Sequence, residues 1–258
     1  MARDIRIEYR LNWRREFSPA IRWLVVANCA VFAIVKIAAL LTDGASTDWF
    51  YGWFALIPSW VVTRLHVWTL FTYLFLHGGV FHLLINMLML WMFGRNLEPV
   101  WGVQRFLKYY FLTGVGAGVC VLAVDLLPRL WGHAQQSVMT IGASGAIYGI
   151  LMACALLFPD REVWLFPLPV MISMRMFVLL CGAIAFYGSL EGPGTGISHI
   201  AHLGGLLVGY VYIRKGSFFY TARNQLTDWK QRRLRRKFEV YMREHRDEPP
   251  AGRDRWVH

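Results

Sequence analysis

Residues 142–149 read GASGAIYG, and from Gly145 to Phe158 the chain continues as the apolar run GAIYGILMACALLF. A small polar residue at the head of such a run costs little if it only starts a helix. It gains chemical meaning if a second polar group faces it. Further apolar stretches of the length that crosses a bilayer, roughly 17 to 25 residues each, fall at about 20–42, 70–93, 106–127, 174–190 and 198–214, with 142–158 as the fourth in order. The chain has 258 residues, 56% of them hydrophobic, and its mean hydropathy is +0.39, well above a soluble domain. The fold class is therefore all-α: a polytopic membrane protein with six spans. Spans four to six are short, which predicts helices that begin below the membrane surface or border a water-filled cavity.

Charge orders the chain. Lys and Arg number 27 against 16 acidic residues, with six cations in residues 1–22 and thirteen in 214–258. An even number of spans puts both ends on one side, and cation-rich flanks stay cytoplasmic. The expected organisation is a cytoplasmic N-terminal segment at 1–19, a six-helix membrane domain at 20–214 and a basic cytoplasmic tail at 215–258. The expected location is the plasma (inner) membrane. The first apolar run begins near Ile21 behind the mixed-charge MARDIRIEYRLNWRREF, with no small-residue cleavage site, so it reads as a retained helix rather than a signal peptide. Cys29, Cys120, Cys154 and Cys181 lie inside apolar spans without CxxC spacing and read as small buried hydrophobes.

The first connection, 43–69, holds four of the twelve tryptophans with Phe50, Tyr51 and Phe54. Aromatic density of this kind favours the membrane interface, so a loop partly sunk in the outer leaflet is expected, as an anchor or as a substrate contact. In the tail, TDWKQRRLRRKFEVYM has a helix start at Thr227 and Asp228, with Trp229, Leu234, Phe238 and Tyr241 among basic residues. It reads as a surface helix on anionic headgroups; no nucleic-acid partner is expected.

Polar side chains within spans are costly, so each is a functional candidate. Span two contains HGGVFHLLIN, with His82 and Asn86 four apart on one helical face. Span six opens SHIAHLGGLLVG, with His199 and His202 three apart. Span four brings Ser144. Singly, the serine could be an N-cap, His82 and Asn86 could be interhelical glue, and the histidines could hold haem or a metal. Together they suit a serine hydroxyl activated by a histidine. Gly145 and Gly149 on span four, and Ala201, Gly205 and Gly209 on span six, supply the small-xxx-small spacing that would let the two helices touch. The free N–H groups at the start of a helix, with His82 and Asn86, could meet a developing oxyanion. Asp125 is the nearest carboxylate for a triad, and its place near the end of span three reads as interfacial. Tyr148, one turn after Ser144, could stack on the histidine.

HLLIN, GASG and AHLGG, in that order across about 69–214, resemble the rhomboid family of intramembrane serine proteases. The GxxxExxxG pattern of GRNLEPVWG (Gly94 to Gly102) is a further likeness, in which Glu98 is expected to tie a cytoplasmic loop. The resemblance implies Ser144 as nucleophile, His202 as general base and His82 with Asn86 in the oxyanion hole. It implies Tyr148, Gly142 and Gly145 as supporting residues, and His77 as a histidine that holds the outer loop. It implies no cofactor, and single-span or polytopic membrane proteins as substrates in the lipid bilayer. Many members carry Trp-Arg in the first loop where this chain has Trp68-Thr69. Oligomeric state is not legible in the sequence.

Overall fold

Ser18-Pro19 starts the first long helix, because proline at the first helical position forfeits no intrahelical bond. That helix is α1 (Pro19–Leu41). The structure is a computed structural model describing residues 18–128, 138–165, 168–190 and 199–215. The predicted N-terminal segment, the basic tail with its surface helix and the connections at 129–137 and 191–198 lie outside the described residues. Residues 1–211 form one unit and 212–258 a second, of which only 212–215 are described.

After α1 the aromatic connection folds as two short helices, α2 (Ala45–Phe54) and α3 (Pro58–Thr63). A single turn, α4 (Thr69–Thr72), runs into a 3₁₀ turn at Tyr73–Phe75. The long helices α5 (Val80–Trp101) and α6 (Val103–Leu126) follow, joined at Gly102. Then come α7 (Ser144–Leu157), a two-stranded antiparallel hairpin of β1 (Glu162–Trp164) and β2 (Met171–Ser173) with Val163 opposite Ile172, α8 (Met174–Leu190), and α9 at 199–215. Three helices, α1, α5 and α6, are long and apolar enough to cross a membrane, and α7 and α8 are shorter apolar helices. The six-helix membrane architecture thus stands.

The second span starts ten residues later than the 70–93 expected. Residues 69–75 form only the short α4 and the 3₁₀ turn, which end at extended Leu76, and they are tied by side chains: Thr69 Oγ1 donates to the His66 carbonyl three residues back (2.6 Å), Thr72 Oγ1 to Phe54 (2.8 Å) and Tyr73 Oη to Gly114 (2.7 Å). The helix begins only after Gly78-Gly79. At its other end it runs past 93 and through Pro99, because Glu98 has a buried task there. Ser18 Oγ and the Ala20 and Ile21 N–H groups (2.9 and 3.2 Å) all donate to the Glu98 carboxylate. A carboxylate at a helix N-terminus satisfies orphan donors and meets the positive end of the dipole, so the end of α5 caps the start of α1. The hairpin was not anticipated; its strands are only three residues each, too short for an alternation signal.

The centre of the bundle is α7, which packs mainly on α6 and α5. Small residues make this possible. Gly149 faces Thr113 of α6, and the vacant side of Gly114 is 3.2 Å from the Ala146 methyl. Against α9 the approach is closer still: a side chain at Gly205 would run into the carbonyl oxygen of Gly145, and one at Gly209 would lie 3.2 Å from the Gly149 Cα. Tyr109 Oη on α6 donates to the Gly149 carbonyl at 2.7 Å, in the same layer.

Two outcomes are expected in detergent. Glu98→Ala removes a buried acceptor shared by three donors and should cost on the order of 3 kcal/mol, read as a lowered unfolding midpoint. Gly205→Ala, which meets backbone rather than a yielding side chain, should destabilise by about 1–3 kcal/mol; an unchanged midpoint would mean that the two helices are not held at backbone contact.

Candidate active site

The backbone contact of α7 and α9 brings a hydroxyl and an imidazole together. His202 Nε2 lies 2.8 Å from Ser144 Oγ. Both side chains are half-buried, neither sealed in the core nor fully open. One helical turn beyond the serine, the Tyr148 ring stacks on the His202 ring with centroids 4.2 Å apart and planes 3° from parallel. Spacing explains this: Ser144 and Tyr148 share a face of α7, and that face is turned to α9. His199 takes a different place. Its ring stands perpendicular to His202 at 6.0 Å and fills the space left by the absent side chain of Gly188 on α8.

The segment before α7 is held from two sides. Gly142 donates its N–H to the Tyr73 carbonyl at 2.9 Å, and Thr140 exchanges paired backbone hydrogen bonds with Leu56 at the α2–α3 junction (2.8 and 3.0 Å). Gly142 has φ +116°, a conformation open to glycine and few others. It is also crowded: a Cβ there would lie 2.8 Å from His82 Nε2 and 3.9 Å from Ser144 Oγ. The His82 ring nitrogen and the serine hydroxyl thus border the same space beside Gly142. Asn86 is buried, and its Nδ2 donates to the His82 carbonyl at 2.8 Å, which leaves its second amide proton for another acceptor.

The first N–H groups of α7 have no intrahelical acceptors and carry the positive end of the dipole. Chemically, the assembly can move a proton from Oγ to Nε2 and offer donors to a nascent oxyanion. His77, in the connection before α5, is 2% exposed with its ring 5.0 Å from that of His82. Burial, reinforced by His82, lowers its pKa to about 4, so this ring is neutral at ordinary pH. Asp125, the carboxylate considered for a triad, is buried near the end of α6. Among the described residues no group of three or more His, Cys, Asp or Glu side chains is arranged to hold a metal ion.

Ser144, His202, Tyr148, His82, Gly142 and Gly145 therefore meet in one place, with Asn86 one turn beyond His82. Sequence reasoning missed Tyr73 and the Leu56–Thr140 bridge, which fix the GASG segment. Nothing in a lone tyrosine or a backbone pairing marks such a role in sequence.

The Rhomboid domain family model matches residues 64–217. RHOMBOID-like protein 1 of Arabidopsis thaliana is 32% identical over 171 residues, 64% of this chain and 40% of that protein. Rhomboid-like protein 16, chloroplastic, of the same plant is 28% identical over 223 residues, 81% of this chain and 66% of its own. Rhomboid-like protease 5 of Toxoplasma gondii is 35% identical over 148 residues, 54% of this chain and 15% of its own. The chain thus spans between 15% and 66% of the length of these relatives. The matched region takes in more than half of the chain and every helix from α5 to α9, and on that ground this integral membrane protein belongs to the rhomboid family.

Proposed function

We propose that the chain is an intramembrane serine endopeptidase that hydrolyses peptide bonds in or near the transmembrane segments of membrane proteins. The observation that carries this reading is the 2.8 Å approach of His202 Nε2 to Ser144 Oγ, on two helices packed closely enough to hold it. The word protease in the name of the Toxoplasma relative supports it.

In this reading His202 takes the Ser144 proton as Oγ attacks the substrate carbonyl. The oxyanion is met by the Ser144 N–H, the His82 ring and the Asn86 amide. The imidazolium that forms is stacked on Tyr148, whose ring face favours a cation. His202 then delivers the proton to the departing amine, leaving an acyl-enzyme. A water molecule, deprotonated by the same histidine, attacks the ester and restores the serine. The fourteen residues of α7 give about 21 Å at 1.5 Å per residue, short of the ~30 Å hydrocarbon core. Ser144 at its end therefore lies below one surface, where water can follow it in. Both termini are assigned to the cytoplasm and the pocket to the opposite side, in the inner membrane.

A fluorophosphonate probe should label the wild-type chain and leave Ser144→Ala unlabelled, and mass spectrometry of a cleaved single-span protein should find no products with that variant. His202→Ala should slow cleavage by on the order of 10³-fold or more. Equal labelling of wild type and Ser144→Ala would sink the hydrolase reading, whereas a client retained uncut by the wild type would make the chain a binder. Tyr148→Phe should cleave at close to the wild-type rate and Tyr148→Ala about tenfold more slowly, the equivalent of ~1.4 kcal/mol for the lost ring.

A further inference from the structure

Away from Ser144, the aromatic connection forms an open cavity of about 270 Å³, lined by Asp48, Trp49, Gly52 and Trp53 of α2, Trp60 of α3, and Arg64 and His66 beyond it. Its walls are built, not incidental. His66, only 8% exposed, lies against Trp53 (centroids 5.2 Å apart, planes 17° from parallel), edge-on to Trp60 at 5.8 Å and against Trp68 at 4.6 Å. Trp68 Nε1 donates to the Trp53 carbonyl at 2.8 Å and locks that ring in the stack. The Arg64 guanidinium lies over the Trp60 ring, 3.9 Å from its centroid. Gly52 keeps the space open: the nearest atom a Cβ there would meet is the Trp60 ring at 3.4 Å.

The polar groups of this cavity are of opposite sign and make no ion pair with each other. The exposed side chains of Asp48 and Arg64 form no hydrogen bond or ion pair with another described residue, and the Arg64 guanidinium has only its contact with the Trp60 ring. Buried His66 Nδ1 likewise has no hydrogen-bond partner among the described residues. Indole faces beside a carboxylate select an ammonium group, and a guanidinium held flat on a ring presents its N–H edge to a phosphate. The volume falls just below the roughly 300 Å³ at which small-molecule sites begin, room for a headgroup rather than a whole ligand. The residues flanking Arg64 and His66 in the chain, Val62, Leu65 and Val67, are apolar and more than half exposed, which suits an amphiphile better than a free metabolite.

We infer that this cavity binds the phosphoamine headgroup of a zwitterionic phospholipid, with the amine between Asp48 and the indoles, the phosphate on Arg64 and the acyl chains passing out over Val62 and Leu65. An occupied cavity clamps α2 to α3, whose junction at Leu56 is hydrogen-bonded to Thr140, four residues before Ser144. The inference stands apart from the hydrolase reading, since it needs neither Ser144 nor His202.

Delipidated full-length chain in detergent, incubated with phosphatidylethanolamine or phosphatidylglycerol of identical acyl chains, tests it by native mass spectrometry. Wild type should retain one phosphatidylethanolamine per chain at least fivefold over phosphatidylglycerol. Gly52→Leu, which fills the cavity, and Arg64→Ala should each cut that adduct at least fivefold at an unchanged unfolding midpoint. Asp48→Asn, isosteric and exposed, should erase the preference between the two lipids without lowering phosphatidylglycerol retention. Equal retention of both lipids by the wild type, or adducts indifferent to Gly52→Leu and Asp48→Asn, would overturn the site. Displacement of the lipid by free phosphoethanolamine at equal concentration would assign the cavity to a soluble phosphoamine and overturn the lipid assignment.

Discussion

Backbone contact between α7 and α9 is the constraint from which the rest follows. No side chain fits at Gly205 because the Gly145 carbonyl occupies its place. In lipid, helices gain nothing from burying apolar surface against each other, so association rests on close van der Waals packing and on the few hydrogen bonds between them. A glycine facing a glycine gives the shortest separation, and a short separation is what a serine and a histidine side chain can bridge. Leucines at the same positions would leave both polar residues in place in the sequence and too far apart to meet.

Closeness alone would not fix a hydroxyl to within hydrogen-bonding distance of one ring nitrogen. Around the contact, polar groups of the bundle are used as ties. Tyr109 bonds the Gly149 carbonyl, Tyr73 bonds Gly114 with its hydroxyl and Gly142 with its carbonyl, and Glu98 holds the start of α1. Each tie spans a distance in sequence that water would make cheap to break and that a bilayer does not, because an unpaired donor there has no solvent to turn to. On the protease reading, the stack of Tyr148 on His202 does for orientation what a carboxylate does in a soluble triad. It sets the plane of the ring without placing a charge in the membrane.

The family and the heart of the candidate site were legible because both rest on residues whose identity is costly. A histidine, an asparagine and a serine in otherwise apolar helices stand out, as do glycines at four-residue spacing. What escaped was set by tertiary bonding. Thr69, Thr72 and Tyr73 read as part of a span, yet the hydroxyls of Thr72 and Tyr73 reach the distant carbonyls of Phe54 and Gly114, and the long helix starts at Val80 instead. Likewise the difference at Trp68-Thr69 has a structural reason invisible in sequence: Thr69 is 1% exposed and bonded to the His66 carbonyl, a place with no room for an arginine. The guanidinium of this connection sits instead on Trp60, four residues before Arg64 and on the same side of a short helix.

Depth explains why these features gather at one end of the bundle. A helix of fourteen residues cannot reach both surfaces, and on the protease reading it is the start of α7 that stops short in the hydrocarbon layer. The elements that come nearest are those of the aromatic connection, through Leu56 and Thr140, and the turn at Tyr73. Their backbone groups need partners at that depth, and they take them from the very segment that precedes Ser144. In that reading, water reaching the serine passes beside backbone groups of Leu56, Tyr73 and Thr140 that already have partners, while the N–H groups at the start of α7 and the facing side chains of α5 remain available to an oxyanion. On the protease reading, the shortness of one helix thus both admits the water that hydrolysis consumes and leaves the donors that its oxyanion requires.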